Sequence, residues 1–284
     1  MNIPLEDGVT DIIGKAQRGL GLSDEALTGK VGVDVGELEA LKKVSGAAYD
    51  KVEKLAKALE LGPKTLVAIA EGKYKPEAPL PKTGFFQANT PFGNDIFVNA
   101  YLVWDNESGL AAAFDTGADC TPLIEEIKKR DLTLQDIYLT HTHADHIMEI
   151  DRLIEKAGGS VGVHVAEAEA LDKAASFQPG ATFSLGRLNI ETRDTSGHSA
   201  GGTTYHIHGL DRPLAIVGDA LFAGSVGGIK TDYREALKKI RDHILSTQDG
   251  TIIAPGHGPL TTTVQEKSGN PFFPGFRRPV GQDI

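Results

Sequence analysis

The chain has almost no cysteine: Cys120 is the single thiol in 284 residues. An internal disulfide is therefore excluded, and with no activating partner legible beside it the thiol reads as a small buried side chain rather than a nucleophile. Long apolar runs are missing too. None approaches the roughly 18 to 20 residues that a membrane span needs. The opening MNIPLEDGVT also lacks the basic start and apolar stretch of a secretory signal, so the cytoplasm is the expected location. There is no surplus of positive charge. A formal net charge of -10 argues against a chain built mainly to coat nucleic acid or an anionic membrane. What remains, 40% hydrophobic and 24% charged, is an ordinary soluble composition at a length that favours two domains over one.

Strand patterning is absent up to about residue 75. Residues 11–20, 23–31, 35–44, 49–59 and 63–70 each carry apolar side chains at three- and four-residue intervals, which predicts five short helices. Ser23 followed by Asp24 and Glu25 makes a helix start, and Pro63 sits where a first turn tolerates it. The stretch YKPEAPLPKTG then places three prolines between Tyr74 and Gly84, predicting a stiff extended linker. Beyond it the pattern turns to strands with intervening helices, beginning with residues 96–104. The expected division is an all-α domain over 1–75, a linker over 76–84 and a catalytic domain over 85–284.

Within that last part, residues 140–146 read THTHADH and pack His141, His143, Asp145 and His146 behind the strand-like run 136–139. In an extended segment His141 and His143 project to one side and can grip one cation, while Asp145 and His146 on the following turn face a second. Imidazole with carboxylate suits zinc, iron or manganese better than calcium or magnesium. Four more segments share the layout of a buried apolar run followed by a loop with a metal-type or site-shaping residue. AAAF leads to Asp115, LNIETRD to His198, LAIV to Asp219 and TIIA to His257. Loops at strand ends are where a rigid sheet holds a site. His164, His206, His208 and His243 lack this setting and read as surface or hydrogen-bonded histidines.

Taken in order, Asp115, the HxHxDH run, His198, Asp219 and His257 resemble the five motifs of the metallo-β-lactamase superfamily. The resemblance implies a four-layer αββα fold with the metals at one edge of two facing sheets. It also implies two divalent metal ions, zinc first with iron or manganese as alternatives. His141, His143 and His198 would hold one, Asp145, His146 and His257 the other, and Asp219 would bridge them. A residual charge of about +1 would remain to polarise a carbonyl, and a hydroxide nucleophile would be available near neutral pH. Asp145 and Asp115 are the catalytic candidates, Asp115 by orienting ligands from behind. Over about residues 20–70 the chain also resembles the lambda-repressor-like helix-turn-helix family, on Leu27, Gly32 and Leu38. The residues facing DNA would be Asp34, Val35, Gly36, Glu37 and Glu39, and carboxylates repel phosphates. Residues 1–78 hold 13 acids against 11 bases. This unit is therefore assigned to oligomerisation or partner contact rather than operator binding.

Asp219 stands where the antibiotic-hydrolysing branch has cysteine, and TSGHSAGGTTY with GHGPLTTTVQEKSGNPF resembles the glyoxalase II-like (hydroxyacylglutathione hydrolase-like) group. That implies a metal-dependent hydrolase acting on a small-molecule thioester or related ester. A lactonase, a mononuclear iron persulfide dioxygenase and a metabolite-sensing DNA-binding regulator are the alternatives. GDALFAGSVGGIK departs from true glyoxalase II in the basic and aromatic residues that hold glutathione, and no helical glutathione-binding domain follows His257. Tyr233 reads as a packing residue at the start of a helix over 233–245, with a second option as a proton donor. Arg277 and Arg278 in the tail read as solvated.

Overall fold

A computed structural model describes residues 3–44, 48–94, 96–172 and 174–276. Arg277 and Arg278 lie outside the described residues. Five helices open the chain: α1 (Val9–Gly19), α2 (Asp24–Val31), α3 (Val35–Lys42), α4 (Tyr49–Ala58) and α5 (Pro63–Ala70). Their starts follow the local chemistry. The Ser23 hydroxyl accepts from the Ala26 amide, Asp34 caps α3 through the Glu37 amide at 2.8 Å, and Pro63 opens α5.

Two six-stranded sheets follow. The first contains β1 (Phe85–Phe92), β2 (Ile96–Trp104), β3 (Leu110–Phe114), β4 (Thr133–Tyr138), β5 (Ser160–His164) and β6 (Ala175–Phe177), in that spatial order. The second contains β7 (Thr182–Leu185), β8 (Leu188–Asp194), β9 (Thr203–His208), β10 (Leu214–Gly218), β13 (Ile252–Pro255) and β14 (Thr261–Thr262), ordered β14-β13-β10-β9-β8-β7. A hairpin of β11 (Leu221–Phe222) and β12 (Ser225–Val226) stands apart. The remaining helices are α6 (Thr121–Arg130), α7 (Ala144–Ile147), α8 (Ile150–Ala157), α9 (Tyr233–Ile240) and α10 (Thr263–Gly269).

The period-two alternation of the strands builds the layers. In β2, Ala100, Leu102 and Trp104 face Leu123, Ile124 and Ile127 of α6, while Tyr101 and Val103 face the other sheet. In β10, Leu214 and Ile216 meet them between the sheets, and Ala215 and Val217 turn to the opposite face. The result is helix, sheet, sheet, helix, as the resemblance implies. On that last face, the apolar side chains of α1 to α5, among them Ile12, Ile13, Leu55 and Leu66, share one core with α9 and with Ile253 of β13.

Strand β1 goes beyond the expected elements. Pro91 and a mixed burial pattern hide it in the sequence, and it occupies a sheet edge, where a missing amide donor is tolerated. The proline-rich stretch is also anchored, since Tyr74 donates its hydroxyl to the buried Glu266 of α10. Tyr233 is buried, its ring filling the space over Gly19, which agrees with the packing role. No helix among the described residues is long and apolar enough to cross a membrane.

Candidate metal centre

All five predicted strand-to-loop junctions end at the same edge of the two sheets. Strands β3 and β4 run parallel and deliver Asp115 and the 140–146 loop; β10 and β13 run parallel and deliver Asp219 and His257. The loop after β8 brings His198. The topology thus unites residues that are more than a hundred positions apart.

The ligand-type atoms fall into two groups, His141, His143, His198 and Asp219 in one and Asp145, His146 and His257 in the other, each within 4.8 Å. Nδ1 of His143 lies 2.9 Å from Nε2 of His141 and 2.9 Å from Nε2 of His198. Nε2 of His257 is 3.2 Å from Asp145. Asp219 reaches both groups: its carboxylate is 3.4 Å from Nε2 of His198, 3.4 Å from Nε2 of His146 and 3.5 Å from Nε2 of His257. Donors about 2.1 Å from a tetrahedral zinc are about 3.4 Å from one another, so this spacing fits a cation. Nε2 of His146 and Oδ1 of Asp219 are buried without a hydrogen-bond partner, which in a protein interior marks a place for another ligand.

Behind three of the imidazoles, those of His257, His198 and His146, stands an acceptor that places a proton on Nδ1. Nδ1 of His257 donates to the Phe97 carbonyl at 2.7 Å and Nδ1 of His198 to the Gly228 carbonyl at 3.1 Å. Carbonyls only accept, so each Nδ1 carries a proton and each Nε2 is the nitrogen turned inward. Asp115 does the same for His146, accepting from its Nδ1 at 2.8 Å while taking the Thr140 amide and hydroxyl, each at 2.7 Å. Its backbone is left-handed at φ 56, a cost of about 1 kcal/mol or more that this network holds in place. Asp115 thus stands behind His146 and belongs to neither group. Asn99, fully buried, donates to the carbonyls of Pro255 and Gly258, each at 2.9 Å, and pins the loop of His257.

The two groups differ in proton affinity. Burial drives His141 well below its usual range and His198 down to about 4. Burial opposes a charge on His146 and His257 as well, but Asp219 and Asp115 outweigh it at His146, carrying it up to about 10. At His257, Asp145 and Asp219 carry it up to about 11. Cation loading needs neutral imidazole. Around pH 7 the Asp145, His146 and His257 group should release protons on loading and tighten as pH rises towards those values, whereas His141 and His198 have none to lose. Calorimetric titration in buffers of different ionisation enthalpy measures this; equal proton release in both binding steps would contradict it.

His164, His206 and His243 make local bonds outside both groups, His206 to the His243 carbonyl at 2.8 Å, and His208 is exposed. Cys120 is buried, with its thiol pushed up to about 11 by burial and by Glu149, which agrees with an inert side chain. Sequence reasoning missed Lys230, whose ammonium lies 3.0 Å from Nε2 of His143. Its one signal is being the sole basic residue of GDALFAGSVGGIK. The Phe97 and Gly228 carbonyls are backbone and leave no signal at all.

Residues 93–257 match the family model for the metallo-beta-lactamase superfamily, and the chain belongs to that superfamily. A probable metallo-hydrolase of Bacillus subtilis, YqgX, is 31% identical over 203 residues, covering 64% of this chain and 94% of that one. The hydroxyacylglutathione hydrolase GloC of Haemophilus influenzae is 31% identical over 198 residues, 62% of this chain and 92% of its own. Among solved structures, the B3 metallo-beta-lactamase BLEG-1 superposes with a TM-score of 0.59 at 30% identity, over 67% of this chain and 100% of that one.

Proposed function

We propose that the protein is a binuclear metal-dependent hydrolase of thioesters or related esters, with lactones as the next substrate class. One observation carries this reading: the Asp219 carboxylate stands 3.4 to 3.5 Å from imidazoles of both groups, as a bridging ligand would. His141, His143 and His198 are the proposed ligands of one ion, Asp145, His146 and His257 of the other, with Asp219 shared. Bound there, two divalent ions would supply a hydroxide nucleophile near neutral pH and polarise the scissile carbonyl. The chain's own part is to fix the imidazoles of His146, His257 and His198 through Asp115, Phe97 and Gly228, and to hold the two groups largely out of solvent.

The hydrolase names of the relatives near 30% identity support the reaction class. Zinc is the proposed metal. Iron is the second choice, supported by a solved relative at 25% identity and TM-score 0.53 described as TTHA1623 in a di-iron-bound form, covering 66% of this chain and 99% of that one. With Nδ1 of His143 turned inward to a cation, its Nε2 must carry a proton and cannot accept from Lys230, so that exposed ammonium is free to meet an anionic part of the substrate. The division into a helical unit (1–75), a connection (76–84) and a catalytic unit (85–284), and a cytoplasmic location, belong to the same reading. The family match beginning at residue 93 supports that division.

Elemental analysis with rate assays on an acyl-thioester and a lactone tests it. About two metals per chain are expected, with hydrolysis that chelation abolishes and zinc, manganese or iron restores. One iron per chain with oxygen uptake on a persulfide, and no hydrolysis, would replace it with the dioxygenase.

A further inference from the structure

The helical unit reaches the hairpin that follows Asp219. From α1, the Lys15 ammonium pairs with Asp7 and donates to the Val226 carbonyl at 2.9 Å, and Asp7 also accepts from the Ser225 hydroxyl. The Lys15 and Asp7 side chains are only 14% and 9% exposed. An ammonium so far from water holds its place through these partners, and removing one leaves the others short of a bond. The same ammonium lies 5.0 Å from the centre of the Phe222 ring, which meets the His257 ring edge-on at 5.7 Å. Across the hairpin, Tyr74 occupies the space beside Gly224, where an added Cβ would lie 2.9 Å from its ring.

The exit of the hairpin touches the metal-type residues directly. At Gly227 a Cβ would stand 1.8 Å from the Asp219 carbonyl oxygen and 3.1 Å from Nδ1 of His198. Next to it, Gly228 supplies the carbonyl that holds the Nδ1 proton of His198. A shift of the hairpin by a fraction of an ångström therefore moves the group that sets this tautomer.

We propose that Lys15 is a positioning residue of the metal centre: through the Val226 carbonyl it fixes the hairpin, and through the hairpin it fixes Gly228 against His198. The helical unit is then a structural part of the catalytic centre. The proposal builds on the metal reading above, and its test separates the two. In full-length protein prepared without metal, nitrogen-15 spectra of the histidines report the His198 tautomer. The wild type should show the proton on Nδ1. Lys15→Met should give a mixture and weaken zinc at the three-histidine group by about 10-fold, and Lys15→Arg should restore much of both. Asp7→Asn, which takes away the counter-charge of the Lys15 ammonium but keeps an acceptor oxygen for it and for the Ser225 hydroxyl, should move both readouts the same way should Lys15→Met fail to fold. A bracing role alone would lower the melting temperature with the His198 signals and zinc affinity unchanged, and that result would overturn the proposal. A wild type that takes up no zinc, with a His198 tautomer that still depends on Lys15, would remove the metal reading and keep the positioning role.

Discussion

Asp219→Ala should lower turnover by about 10^3-fold or more on whichever ester the wild type hydrolyses, with metal content falling below that of the wild type. The reason is the position of this carboxylate. It stands between the two sets of metal-type atoms, 3.4 Å from His198 on one side and 3.4 Å from His146 on the other. Its acidity agrees with that role: burial opposes its charge, yet His146 and His257 hold it well below the usual carboxylate range. Alanine leaves the strand β10 backbone intact, so circular dichroism should match the wild type, and Asp219→Asn, which keeps the shape and loses the charge, should be nearly as inactive. Turnover retained by a folded Asp219→Ala would remove the bridging assignment.

A single methyl at Gly256 should also do large damage without replacing any proposed ligand. An added Cβ there would lie 2.1 Å from Oδ1 of Asp219 and 2.7 Å from Cε1 of His146, inside the space those two atoms need. Backbone strain is not the cause, because Gly256 is not among the glycines with positive φ. Asp219 or the loop of His257 must move, and displacement of a reacting group by about 1 Å commonly costs about 10^2-fold in rate. Gly256→Ala should therefore lose activity by at least about that factor and bind metal weakly. Gly29→Ala is the control, since no atom lies within 4 Å of its added Cβ and a helix favours alanine. Wild-type activity in Gly256→Ala would mean that Asp219 has room that these distances deny it.

Much of the centre is legible before any folding is known. His141, His143, Asp145 and His146 lie within six residues behind a strand, and their grouping follows from strand and turn periodicity alone. The five helices of the first 75 residues are equally local, written in capping residues and three- and four-residue spacings. Strand β1 is not, because at a sheet edge its pairing with β2 constrains its side chains weakly and admits Pro91. Lys230 illustrates the same limit, because nothing in its neighbours along the chain says that it reaches His143, 87 positions earlier.

The sequence by itself determined the residue types and their order: which imidazoles and carboxylates exist, which strands carry them, and that a cation suits them. The tertiary structure decided their distances, the Nδ1 protons of His146, His198 and His257, and the docking of the helical unit against the hairpin after Asp219. Helix caps, strand alternation and donor chemistry act over a few residues and are written in the residues themselves. Carbonyls such as those of Phe97, Val226 and Gly228 are the same in every residue, so only the fold can say which one a buried proton finds.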